Sequence, residues 1–261
     1  MKKLYALILA LILLCTPLLS SCDKNEDITI PTEVIAAARD KLLNESYQAT
    51  TSVIIDTSDT ELKNVISAAS GNSITLLSDG DRLMISSDAQ IGEISLKTVY
   101  TAIGKDVYKE SSIRVGGAYA KELLHSTLTI QDKAILISRF GTGANINERD
   151  FETVEATHTD GVYTVTSTLI KQSSKDGLEK IFMATTGCDV SVSDVCYVMT
   201  VKDNSLLATA LTYTITLAAG NEFKTVTITT ATTYDYDSFI IIPEISNVAD
   251  YTTVDFTEIC N

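Results

Sequence analysis

Polar and apolar positions change their period several times along this chain. After Pro31, the residues Val34, Ile35, Ala38 and Leu42 recur on one face, which predicts an amphipathic helix from about Thr32 to Asn44. Pro31 suits the first turn, and Glu33 suits the positive end of the helix dipole. The period then falls to two. "YQATTSVIID" (residues 47–56) is β-branched and strand-like, and segments 73–77 and 82–86 flank a turn at Asp79-Gly80. Segments 91–102 and 106–113 flank Gly104, and Asp160-Gly161 marks another turn before a strand. The clearest alternation runs from Cys196 to Asp237, with turns at Asp203-Asn204 and Gly220-Asn221. There Tyr213, Ile215, Leu217, Val226 and Ile228 point one way, while threonines fill the positions between them. Threonine is a good strand former on a wet face.

Two further helices interrupt the strands. Thr129 and Asp132 form a cap for a helix running through Phe140, with Gly141 at its C′ position. Leu178, Ile181 and Phe182 give a second amphipathic face. Hairpin-linked, half-buried strands together with a few helices predict an α+β fold, a large antiparallel sheet with helices packed on one face. No Gly/Ser-rich or Pro-rich linker divides the interior, so residues 31–261 read as a single domain.

The N-terminus has a different texture. Lys2 and Lys3 precede an uncharged stretch from Leu4 to Leu19, the form of a secretion signal. A bilayer span needs roughly 20 apolar residues, and this run is shorter and holds Pro17. An ordinary signal peptidase wants small residues at −3 and −1, and a cut before Cys22 would put Leu19 at −3. Leu19-Ser20-Ser21-Cys22 instead looks like a bacterial lipobox, with signal peptide 1–21 and lipid on the Cys22 sulfur; an ordinary cut after Cys22 is the alternative. A second acyl chain would make the membrane anchor stable. Residues 22–30 then form an acidic tether.

Composition narrows the partners. The chain has 20 basic and 34 acidic residues, and removing the leader takes Lys2 and Lys3 and no acid, leaving a net charge near −16. Such a chain is a poor ligand for nucleic acid, whose binding needs neutralising Lys and Arg. Any membrane association would come through the lipid on Cys22. Of five cysteines, Cys15 leaves with the leader and Cys22 carries lipid. Outside the cytoplasm a disulfide is permitted, and Cys188 with Cys196 could close a small loop contributing ~2–3 kcal/mol; three free thiols, with Cys260, are the alternative.

Candidate chemistry is sparse. Only two histidines exist, His125 and His158, and no zinc-protease, nucleophile-elbow or P-loop pattern is present. "GTGAN" at Gly141 lacks the third glycine of a dinucleotide fingerprint. "DKNEDITI" imitates a calcium loop at Asp23, Asn25 and Asp27, but Ile28 stands where glycine is required. No metal-ligand spacing surrounds the cysteines, and no cofactor is expected. "YDYDS" sets Tyr234 and Tyr236 on one strand face and Asp235 and Asp237 on the other. The aspartates could do acid/base work or only keep the strand soluble, and the tyrosines could line a cavity or fill the core. The expectation is a protein that is not an enzyme.

The layout resembles the lipoprotein-carrier superfamily, the LolA/LolB-like and LppX-like lipoproteins. Lipobox Cys22, the helix "PTEVIAAARDKLL", the strand "SYQATTSVII" and the ending "TTYDYDSFIIIPEISNVADY" carry the likeness, which resembles that family's final strand closing on an apolar run and proline. The resemblance implies a curved antiparallel sheet, an open half-barrel, with helices on its concave face and an apolar cavity for a lipid or other hydrophobic ligand. It implies a membrane-anchored protein on the extracytoplasmic side of a bacterial envelope. It carries over no ligand-binding residue. Two other classes stand beside it. A structural or interaction lipoprotein would have a filled core and an exposed apolar patch, and a hydrolase would need His125 or His158 to meet carboxylates in a cleft.

Overall fold

The computed structural model describes residues 32–60, 73–91, 93–137, 148–186, 189–219 and 222–259. Helix α1 (Thr32–Asn44) leads into β1 (Ser46–Thr57). A meander follows: β2 (Ser73–Asp79), β3 (Arg82–Ile91), β4 (Ile94–Ile103), β5 (Asp106–Val115) and β6 (Ala118–Thr127). Helix α2 (Ile130–Leu136) comes before β7 (Phe151–Thr159) and β8 (Val162–Ile170), and α3 (Gln172–Thr186) before β9 (Val190–Lys202), β10 (Ser205–Ala219) and β11 (Glu222–Asp235). The described residues close with a two-residue β12 (Thr252–Thr253) and a short α4 (Phe256–Ile259).

The twelve strands among the described residues join one open sheet in the order β12-β6-β5-β4-β3-β2-β1-β11-β10-β9-β8-β7. Two meanders are welded along one seam. The first runs from β1 outwards to β6; the second starts at the far edge with β7 and returns to β1, where β11 pairs from Gln48↔Asp235 to Thr57↔Val226. The sheet is mixed rather than purely antiparallel, because β12 lies parallel to β6. That strand arrives by a long arm rather than a hairpin, so its direction is free of the hairpin constraint.

One face of the sheet carries the core. Tyr47, Ala49, Leu76, Leu83, Ile85, Ala102, Val107, Tyr213, Ile215, Val226 and Ile228 are all buried on it. Helix α1 buries Ile35, Ala38 and Leu42 and packs against β9 and β10. Its Lys41 Nζ donates to Ser205 Oγ at 3.0 Å. Helix α3 packs against β9, sets Phe182 5.8 Å from the Tyr213 ring, and accepts the Val192 N–H at Glu179 Oε1 at 2.9 Å.

Several expectations meet the structure directly. Helix α1 has the expected bounds. The cap at α2 is reciprocal: Asp132 Oδ2 accepts the Thr129 N–H at 2.7 Å, and Thr129 Oγ1 accepts the Asp132 N–H at 3.2 Å. The rest of that helix towards Phe140, with Gly141, lies outside the described residues, as does the turn at Gly220-Asn221. Asp203, Asn204, Asp160 and Gly161 all have positive φ, the geometry of tight hairpin turns. Segment 91–102 is not one strand, for Ile91 ends β3 and pairs with Ile94 across a hairpin. β11 stops at Asp235, so the apolar run and Pro243 leave the sheet instead of extending its last strand.

Candidate inner-face tyrosine site

Where β1 meets β11, three tyrosines gather on the inner face. Ala49 faces Tyr234 across the ladder, so Tyr47, two residues earlier, stands beside Tyr234 and Tyr236. The Tyr47 ring lies 6.0 Å from that of Tyr234 and 5.7 Å from that of Tyr236. All three hydroxyl oxygens are buried and have no hydrogen-bond partner among the described residues. Thr209 and the backbone of Leu206 face Tyr234 and Tyr236 without completing a hydrogen bond. The Ser167 hydroxyl on β8 is also buried without a partner.

Nearby polar groups are satisfied. Thr51 and Thr232, opposite one another, share a buried hydroxyl–hydroxyl bond of 2.8 Å. Burial pushes the Tyr47 phenol far up, with Tyr236 adding to the effect; it does the same to Tyr234, beside Tyr197 and Tyr47, and takes Tyr236 to about 12. The phenols are therefore neutral donors at any physiological pH. A buried hydroxyl left unpaired costs roughly 1–3 kcal/mol, and buried polar groups in native proteins nearly always find a protein or water partner. Three buried donors without a partner among the described residues suit a bound group offering oxygen acceptors.

A second cluster lies on the outer face at the β5–β6 edge. His125 Nε2 is 2.8 Å from Asp106 Oδ1, and its Nδ1 is 3.4 Å from Thr253 Oγ1. Tyr108 sits between His125 (4.9 Å) and Tyr251 (5.2 Å, edge-on). The Tyr251 hydroxyl donates to Glu110 Oε1 at 2.6 Å, and Lys121 Nζ lies 2.9 Å from Glu110 Oε2. With the Val254 N–H donated to His125 O at 2.9 Å, these contacts fasten the C-terminal arm to β6. His125 thus meets a carboxylate, whereas His158 stacks on Tyr163 at 4.2 Å near the Asp160-Gly161 turn.

The other sequence candidates find plain places. Asp235 accepts the Asp237 N–H at 2.9 Å and the Ser238 hydroxyl, so it closes the turn that ends β11. Cys196 is a half-buried free thiol on β9; Cys188, its expected partner, Cys260 and Cys22, the expected lipid attachment point, lie outside the described residues. Among the described residues no group of three or more His, Cys, Asp and Glu could hold a metal ion, and no helix is long and apolar enough to cross a membrane. Tyr47, Thr51 and Asp106 were not singled out from the sequence; only the strand pairing reveals them. No protein-family model matches the chain, and no curated protein matches it.

Proposed function

We propose that the chain is an extracytoplasmic lipoprotein, anchored through lipid on Cys22, that holds a lipid or other hydrophobic ligand against the inner face of its sheet. In this proposal the sheet acts as an open half-barrel with α1 and α3 on its concave side. The observation that carries it is the set of three buried hydroxyls on Tyr47, Tyr234 and Tyr236 that find no hydrogen-bond partner among the described residues, on the face that carries the apolar core. An apolar ligand would match the surroundings, and an ester or other oxygen-bearing group on it would accept from the phenols. No cofactor and no catalytic step belong to this role. Protein purified gently from membranes and weighed intact should carry lipid, and Tyr47→Phe with Tyr234→Phe should reduce the loaded fraction several-fold. A ligand-free wild-type protein would defeat the proposal.

The second reading is a structural or interaction lipoprotein of the envelope. It is favoured by Phe239 and Ile241, which project from the arm after β11 at 90 % and 68 % exposure. Cross-linking on intact cells through positions 239 and 241 should then return a defined protein partner. Its absence, together with co-purified lipid, would decide for the first reading.

A further inference from the structure

We propose that the tips of the two hairpins β3–β4 and β5–β6 dip into the interface of a lipid bilayer. The ladder fixes which side chains share a face there. Beyond the core residues Tyr100 and Val107, the inner face carries a polar row, Ser87–Thr98–Ser111–Glu122. Past that row it turns apolar again. Leu96, Ile113 and Ala120 form one row, and Ile94, Val115 and Ala118 the next. The polar row separates this patch from the core, and Ile113 and Val115 are 39 % and 48 % exposed.

The opposite face of the same tips has the composition of a membrane interface. Tyr119 is 60 % exposed, with the Arg114 guanidinium 5.9 Å from its ring centroid. Lys97 and Lys121 stand on the same face, paired with Asp88 and Glu110 at 3.9 and 2.9 Å. Aromatic rings and long cationic side chains settle at the headgroup level, with their charges reaching towards water. Two residues along a strand span ~7 Å, so the two apolar rows with their side chains match the ~5–10 Å depth reached by interfacial segments. A bilayer is also the one partner that lipid on Cys22 would bring near. The tether from residue 23 to 30 reaches ~26 Å when extended.

The chain contains no tryptophan, so Val115→Trp places a single selectively excited tryptophan at the tip and Ile54→Trp places one on the outer face of β1. Both sites are exposed, and far-UV circular dichroism checks that each variant folds. Full-length lipidated protein is mixed with phosphatidylcholine–phosphatidylglycerol vesicles containing lipids brominated near the glycerol. Trp at 115 should shift to the blue and lose roughly half its intensity, as at an interfacial depth, while Trp at 54 stays solvent-like. Adding Ile113→Asp should abolish the change. Unchanged emission at 115 would overturn the proposal, whether or not the protein floats with the vesicles. A shift that grows with protein concentration in the absence of lipid would also overturn it, because a second copy would then cover the patch. Flotation separately reports the Cys22 anchor, so failure of the anchor and failure of the tip are told apart.

Discussion

Two positions on the inner face of β1 illustrate opposite uses of a buried hydroxyl. Thr51 shares a hydrogen bond with Thr232, while the Tyr47 hydroxyl shares none among the described residues. Removing one side of a buried hydroxyl pair gives up the bond between them, a net ~0.5–1.5 kcal/mol, whereas removing an unpartnered hydroxyl relieves a cost. In ligand-free protein, Thr51→Val should therefore lose about 0.5–1.5 kcal/mol in urea unfolding, and Tyr47→Phe should match or exceed the wild type. If Tyr47→Phe proved as costly as Thr51→Val, the phenol would have an internal partner and no need of a ligand.

At the scale of elements, hairpins organise most of the sheet, and the last one is replaced by an arm. Residues 236–251 leave β11, and the Arg82 guanidinium donates to Ile242 O at 3.1 Å before β12 docks on β6. The Glu110 carboxyl holds that docking: the hydrogen bond from Tyr251 lowers its pKa most, and the one from Lys121 lowers it further. A lowered folded value stabilises the protein above the ordinary glutamate value of 4.5, and the stabilisation is lost as pH falls through the folded value. Tyr251→Phe removes the larger cause. The wild-type advantage over this variant, measured by denaturant titration, should hold at pH 6 to 7 and shrink as pH falls below about 4.5. An advantage that does not change with pH would mean that the Glu110 charge plays no part.

For the whole molecule, net charge and the proposed anchoring would pull against each other. A mature body near −16 would be held off an anionic membrane, so attachment would rest on the lipid, with the hairpin tips adding local contact. Replacing Cys22 by Ala should move the protein from the membrane to the soluble fraction on cell fractionation. Retention at wild-type levels would contradict lipid anchoring. The sheet itself is open at both ends. β7 presents Glu152 and Glu155 as exposed charges along its strand, and β12 covers part of β6; charge and cover are both ways to discourage edge-to-edge growth.

Local patterns in the sequence determined the elements whose signals are short-range. The bounds of α1, the Thr129–Asp132 cap, the Asp160-Gly161 and Asp203-Asn204 turns, and the inward side of Tyr213, Ile215, Val226 and Ile228 were all legible, because each depends on residues within one turn or one strand. β6 and β7 were not. "AYAKELLHST" and "FETVEATHT" are mostly exposed along their length, so burial leaves little alternation to read, and their strand form comes from partners. The facing of Tyr234 and Tyr236 followed from period two, but Tyr47 joined them only because β11 returns to the free side of β1. The meeting of His125 with Asp106 required the β5–β6 register, and that of His125 with Thr253 the arm. Tertiary pairing alone decides such contacts, because a strand's own residues fix which way a side chain points and say nothing of which strand lies beside it.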